Sequence, residues 1–285
     1  MILSEMWGQH VRLGNFLWKY AYNIKLCSKF GYEAQYPDYY LWKYLENPPV
    51  VFDKEPHVDL LVRPKQWAWS QEEMDEIESL DFKNQNISFA LNHFMQSYKW
   101  FEGYEKEVYN SLKIKQEEIE KVKDKYSYLF NSPESTIGIS IRLGDFVGHG
   151  DFFQIPPEWY IKALNQEFPN WKTDYQVVVF SDDIPKAKQL FKDYSFYYTD
   201  FNDTASHREN FKYYHGDASE QFFLGIMMDN FICGNSTFSW WQSYLCQAGS
   251  RGSKIVHCGE VFRGKRKQEN DITHYYPSNW VKLPI

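Results

Sequence analysis

IGISIRLGDFVGHGDFFQIPPEWYIKALNQEFPNWKTDYQVVVFSDDIPKAKQLFKDY, residues 137–194, contains two apolar strand runs, each followed by a helical stretch. IGISI (137–141) and VVVF (177–180) are short uninterrupted apolar runs, as expected of strands covered on both faces. PPEWYIKALNQEF (156–168) opens with prolines and continues at helical spacing, and IPKAKQLFKDY (184–194) repeats that arrangement. The alternation carries on through FYYT (196–199), ASEQFFLGIMMDN (218–230), FICG (231–234), WWQSYLCQA (240–248) and KIVH (254–257). Strands alternating with helices of about ten residues predict βαβ units and a parallel sheet.

The first half is less regular. LGNFLWKYAYNIKLCSKFG (13–31) predicts a helix closed by Gly31, followed by an aromatic, proline-containing loop region at 36–52. ISFAL (87–91) is a strand candidate. EKEVYNSLKIKQEEIEKVKDKYSYLF (105–130) predicts one long helix with a solvated, charge-paired face. The turn cluster NSPEST (131–136) then divides the chain into an N-terminal domain, 1–133, and a C-terminal domain, 134–285.

Composition narrows the functional classes. A hydrophobic fraction of 43% and a charged fraction of 24% are those of a globular chain, and the net charge of −7 argues against a nucleic-acid partner. Aromatic residues reach 19%, which suits either sugar stacking or ring-filled cores. Cys27, Cys233, Cys246 and Cys258 match no zinc pattern, and Cys233 and Cys258 sit in apolar runs as small core residues. No apolar run is long enough for a membrane anchor, and the first residues lack the order of a signal peptide. The expectation is a cytoplasmic protein, in which the N-x-S/T matches at Asn86, Asn202 and Asn235 carry no meaning.

Chemistry should lie just after the strands of the second half. Arg142 follows the first strand, where a guanidinium can clamp a diphosphate; Gly144 permits close approach, and Asp145 could instead pair with Arg142 and pin the loop. Gly148 and Gly150 flank His149, with Asp151 next, so either side chain could reach a substrate as a base. Ser181, Asp182 and Asp183 end the next strand, where acids can accept from a ligand or where Ser181 or Asp182 can cap the following helix. Asn235, Ser236 and Thr237 form the start of a helix able to take an anion, with Phe238 placed to stack on a base. Trp240 and Trp241, inside that helix, read as anchors to the sheet. FRGKRK (262–267) could close over phosphates or lie as a solvated loop. Neither GxxxxGK[ST] nor G-x-G-x-x-G occurs, and no metal ligand set is spaced correctly.

In order along the chain, these segments resemble the α-1,2-fucosyltransferases of glycosyltransferase family 11. They are more distantly similar to protein O-fucosyltransferases and core α-1,6-fucosyltransferases. RLGNFLWKYAYNIKLCSKFG is similar to the family's GLGN segment and FMQSYKWF (94–101) to its Y-F-Q-S segment. SIRLGDF resembles the H-x-R-R-G-D motif, FSDDI the F-S-D-D motif, ICGNSTFSWW the I-I-A-N-S-[ST]-F-S-W-W motif, and THYYPSNWVKL the closing Y-P-x-x-W segment.

The resemblance implies an α/β, GT-B-like enzyme of two Rossmann-like domains with its donor site in the C-terminal half. It implies inverting transfer of L-fucose from GDP-L-fucose to a glycan hydroxyl, O2 of a galactoside, without metal or cofactor. By the same resemblance Arg142 would hold the diphosphate, while Asn235, Ser236, Thr237 and Phe238 would line the GDP site, with Asp182 and Asp183 shaping it. Asn15, beside Gly14, would face the reaction centre. Asp151 would take the acceptor's proton, with His149 as the second candidate and Asp145 as a brace for Arg142.

The chain departs from the pattern at Phe16, Ser140, Leu143 and Gln221. The family's guanine-reading acid aligns with Gln221, beside which Glu220 could substitute. These departures keep two other readings in view: a transferase for a different GDP-deoxysugar, and a non-catalytic nucleotide- or sugar-binding relative.

Overall fold

The computed structural model describes residues 2–4, 12–54, 56–65, 69–89, 95–199, 218–249 and 252–285. It divides the chain into two α/β units, Met1–Lys115 with Asn270–Pro277 and Gln116–Glu269 with Ser278–Ile285.

The first unit contains β1 (Ile2–Ser4), α1 (Leu13–Phe30), β2 (Ala34–Gln35), β3 (Leu60–Val62), α2 (Gln71–Glu78), β4 (Ile87–Phe89) and α3 (Glu105–Ser111). Among the described residues its strands are parallel in the order β2-β1-β4-β3. Helix α1 ends where expected: Gly31 adopts φ 68° and its N–H donates to the Cys27 carbonyl at 2.9 Å. Tyr22 and Leu26 of α1 pack with Ile77, Phe82, Ile87, Phe89 and Trp100 into one core.

The stretch 105–130 is not one helix. After α3, residues 112–115 turn aside to pair with 44–46: the Glu46 N–H donates to the Lys113 carbonyl at 2.8 Å, and the Lys115 N–H to the Tyr44 carbonyl at 2.9 Å. Leu112 and Ile114 are buried by that pairing, which outweighs the helical charge spacing of the sequence.

The second unit runs α4 (Gln116–Lys125), α5 (Ser127–Phe130), β5 (Ser135–Ile141), α6 (Pro157–Glu167), α7 (Trp171–Asp174), β6 (Tyr175–Ser181), α8 (Ile184–Leu190), β7 (Tyr197–Tyr198), α9 (Ser219–Ile226), β8 (Asn230–Cys233), α10 (Thr237–Gly249), β9 (Ile255–His257), α11 (Gly264–Glu269) and β10 (Val281–Lys282). Glu220 of α9 accepts from Lys125 Nζ at 2.7 Å and from Tyr126 Oη at 2.9 Å, tying α4 and its end to this unit. The division therefore falls at 115/116, earlier than the 133/134 expected from the turn cluster, and 270–277 returns to the first unit.

Among the described residues the strands of the second unit are parallel in the order β10-β9-β8-β5-β6-β7. From β5 the chain steps outward through β6 to β7, then crosses to the other side of β5 and steps outward again from β8. The direction reverses between β5 and β8, and in open α/β sheets ligands bind outside the carboxyl ends of the two strands at such a point. Gly234, just past β8, has no room for a side chain, because a Cβ would press into the backbone oxygen of Ser140 on β5. The two strand ends are thereby held close. Beneath them Ile139, Val179, Ile232 and Val256 are fully buried, with Trp159 and Tyr160 of α6 on one face.

Candidate functional site

The loop after β5 is shaped by a carboxylate from β6's end. Asp182 Oδ1 accepts from the Leu143 N–H at 2.8 Å and Oδ2 from the Gly144 N–H at 2.8 Å. Oδ2 also lies 3.1 Å from Arg142 Nη1, and the Asp182 side chain is only 4% exposed. On the other side, Arg142 Nε donates to Asp145 Oδ1 at 2.8 Å. Arg142 thus stands at the strand end with its guanidinium held between two carboxylates, its side chain 17% exposed. Its brace Asp145 is where the sequence suggests, and Asp182 adds a second. Leu143, in the place of the family pattern's second arginine, turns into the core.

The next residue, Asp183, is the N-cap of α8: its side chain accepts from the Lys186 N–H at 3.0 Å. Capping falls to this residue and not to Ser181 or Asp182, because Asp182 faces inward while Ser181 accepts from the Asp183 N–H at 3.1 Å.

Across the switch point, Ser236 caps α10, its Oγ accepting from the Ser239 N–H at 3.1 Å. Ser236, Thr237 and Phe238 are half-buried, so this helix start meets solvent at the end of β8. Phe238 has Phe222 of α9 beside it, with ring centroids 5.5 Å apart. Asn235 is buried, and its Nδ2 donates to the Phe153 carbonyl at 2.6 Å, joining the start of α10 to the loop after β5. Trp240 and Trp241 are fully buried; Trp240 stacks on Tyr244 at 4.9 Å and also contacts Trp280. They anchor the helix, as the sequence suggests.

The rest of the loop is bound to the segment before α11. The Arg263 guanidinium donates to the carbonyls of His149 and Gly150, and the Arg263 N–H to the Asp151 carbonyl at 2.9 Å. Asp151 Oδ2 lies 3.6 Å from Arg266 Nη1, and the Asp151 side chain is 45% exposed. His149 Nδ1 accepts from the Asp151 N–H at 3.1 Å, so a neutral ring keeps its proton on Nε2 and presents a donor there. The FRGKRK stretch is mostly exposed from Arg263 onward, and two of its arginines, Arg263 and Arg266, contact the loop that carries Asp151.

Gln221 and Glu220 diverge. Gln221 is buried, its Nε2 donating to the Ser181 carbonyl at 3.2 Å and Thr199 Oγ1 at 3.0 Å, at the ends of β6 and β7. Glu220 is occupied by Lys125 and Tyr126 on the α4 side. Gln221 thus faces the ends of β6 and β7, whereas Glu220, the alternative beside it, faces α4.

In the first unit, Asn15 Oδ1 accepts from Gln96 Nε2 at 3.0 Å, while Gly14 is buried. Gln96 follows Met95, a buried residue at φ 50°, a conformation that costs a residue with a side chain about 1 kcal/mol or more. The two segments that resemble GLGN and Y-F-Q-S therefore meet through Asn15 and Gln96, a contact the sequence reading did not identify. Phe16 is buried against Tyr39, ring centroids 4.4 Å apart. Tyr36, Tyr39 and Trp42 are likewise core residues, leaving Asp38 and Tyr40 as the more exposed positions between 36 and 42.

The four cysteines form no disulfide with one another, and burial pushes Cys233 up to about 12 and Cys258 up to about 11. Asn235 is too buried for a glycan, and Asn202 lies outside the described residues. Among the described residues, no cluster of three or more His, Cys, Asp or Glu is arranged to hold a metal ion, and no helix is long and apolar enough to cross a membrane.

Comparison with known proteins places this site in context. The sequence profile of glycosyl transferase family 11 matches residues 52–283. The O-antigen biosynthesis glycosyltransferase WbnK of Escherichia coli is 28% identical over 115 residues, 39% of this chain and 34% of WbnK, so the match spans about a third of that relative. Among solved structures, fucosyltransferase NodZ from Bradyrhizobium superposes with a TM-score of 0.51 at 13% identity, covering 85% of this chain and 91% of NodZ. NodZ, an α-1,6-fucosyltransferase, has been co-crystallised with GDP and soaked with GDP-fucose. A mutant of Arabidopsis thaliana FUT1 in complex with GDP superposes with a TM-score of 0.56 at 12% identity, covering 98% of this chain and 75% of that one. At these identities the likeness is one of fold, α/β and GT-B-like.

Proposed function

This chain belongs to glycosyl transferase family 11, and from that premise we propose that it transfers L-fucose from GDP-L-fucose to a glycan hydroxyl with inversion. O2 of a galactoside is the acceptor position that the family resemblance supports. The observation that carries the reading is Arg142, fixed at the end of β5 between Asp145 and Asp182 and beside the strand whose end opens into the Ser236-capped helix.

Loss of GDP from the sugar concentrates negative charge on the β-phosphate. A guanidinium already held in place, with the N–H groups and hydroxyls of the α10 start, stabilises that charge without reorganising during the reaction. Phe238 would lie against the nucleotide. The acceptor hydroxyl attacks the anomeric carbon from the opposite face, and the half-exposed Asp151 takes its proton. Asn15, to which the family resemblance gives a role in the reaction, is held within its own unit by Gln96.

The test is incubation with GDP-fucose and a panel of galactosides, with NMR assignment of the product linkage. Turnover of GDP-fucose into an α-1,2-fucoside supports the reading. No turnover of the donor, together with unchanged GDP affinity in Arg142→Ala, refutes it. Leu143 buried in place of a second arginine favours keeping a second donor in the same assay, and preferential turnover of another GDP-deoxysugar identifies that enzyme instead.

A further inference from the structure

We infer that Asp182 is a positioning residue that fills an anion-binding backbone turn after β5 and thereby aims Arg142, without touching the donor itself. The inference rests on the proposed role of Arg142 at the donor diphosphate.

Consecutive backbone N–H groups that converge on one point form a concavity suited to an anion. The Leu143 and Gly144 N–H groups converge in this way, and the anion they hold is the protein's own carboxylate, each at 2.8 Å. A buried carboxylate needs this compensation, and the third contact, from Arg142 Nη1 at 3.1 Å, supplies opposite charge. Two consequences follow from the geometry. The loop amides are directed at Asp182, so the phosphate must draw on the start of α10 and on Arg142. The arginine, gripped at Nε by Asp145 and at Nη1 by Asp182, is ordered before any ligand arrives, which removes the entropy of ordering it from the cost of binding.

Neither conservative replacement reproduces this. Asn offers one oxygen and turns an NH2 toward a backbone N–H, leaving a buried donor unsatisfied. Glu is a methylene longer in a site that is already closed.

The experiment is a double-mutant cycle on GDP affinity with Asp182→Asn, Arg142→Ala and the double variant, each first checked for native circular dichroism. Asp182→Asn alone is expected to weaken GDP binding and lower kcat by about tenfold or more. In the Arg142→Ala background the same change should cost less than about twofold further, because its effect passes through the arginine. Fully additive losses, or a folded Asp182→Asn with wild-type affinity, overturn the inference. Should the variant not fold, amide NMR of the wild type decides. The Leu143 and Gly144 N–H signals should stay in place on GDP titration, and large shifts would mean that the phosphates, not Asp182, take those donors. A wild-type protein that binds no GDP defeats the functional reading and this inference together, whereas binding with additive losses defeats the inference alone.

Discussion

Gly234 on the end of β8 lies directly against the carbonyl oxygen of Ser140 on β5, with no space between them for a methyl group. The opposing atom is backbone and itself accepts from Tyr160 Oη at 3.2 Å, so it cannot swing aside as a side chain would. Gly234→Ala should therefore force the two strand ends apart, costing about 2 kcal/mol or more, and should displace the start of α10 from Arg142. Urea denaturation and GDP titration of the same variant measure both effects. Wild-type values in both would mean that the strand ends are not closely held.

Two neighbouring acids should behave differently on substitution. Asp183 caps α8 from a half-buried position, so Asp183→Ala should lower stability by about 1 kcal/mol, as loss of an N-cap does. Asp183→Ser should restore most of that, because Ser is also a good cap. Thermal unfolding of the two variants gives the comparison.

Arg142→Lys should be nearly as damaging to kcat as Arg142→Ala. An ammonium is a point charge and cannot span Asp145 and Asp182 while presenting further donors in a plane. Each variant is expected to lose about a hundredfold in kcat or more. Steady-state kinetics with the donor in excess distinguish this from a defect in binding alone; a lysine variant with near-normal kcat would show that charge suffices.

Acid should weaken the second unit through His257. Burial, with Lys282 nearby, lowers its pKa from 6.5 to about 3. As pH falls from 6.5 toward 3, the unfolded chain takes up a proton that the folded chain does not. The folded state thus loses up to about 1 kcal/mol per pH unit across that window, and the contribution is fully present above it. Denaturation midpoints at several pH values should show the slope, and His257→Asn should flatten it.

Much of the second unit was legible because local patterns repeat: each strand run and each helix from IGISI to KIVH forms near its expected place. Sheet order was not, since nothing in an alternating pattern says on which side of β5 the next strand will lie. The same limit explains the acids at 182 and 183. Adjacent carboxylates after a strand look equivalent in sequence, and only the inward turn of Asp182 onto Leu143 and Gly144 separates a buried clamp from a helix cap. The break after Ser111 was hidden for a related reason. Residues 112–115 keep helical spacing but gain more from pairing with 44–46, a partner about seventy positions away that local propensity cannot reveal. Gln221 shows the limit of alignment: its position was traceable, but its amide's commitment to Ser181 and Thr199 was not.

The chain passes between its two units at 115/116, at 269/270 and again at 277/278. The last eight residues return to the second unit, where β10 pairs with β9, Trp280 meets Trp240, and the Leu283 carbonyl accepts from Trp159 Nε1 at 2.8 Å. Residues 270–277 meanwhile give Tyr275 to the first unit beside Trp18. Neither unit is a contiguous stretch, so grafting the second unit onto a relative's first unit requires three junctions, and a chimera spliced once at residue 116 would leave its first unit with a foreign 270–277 segment in its core.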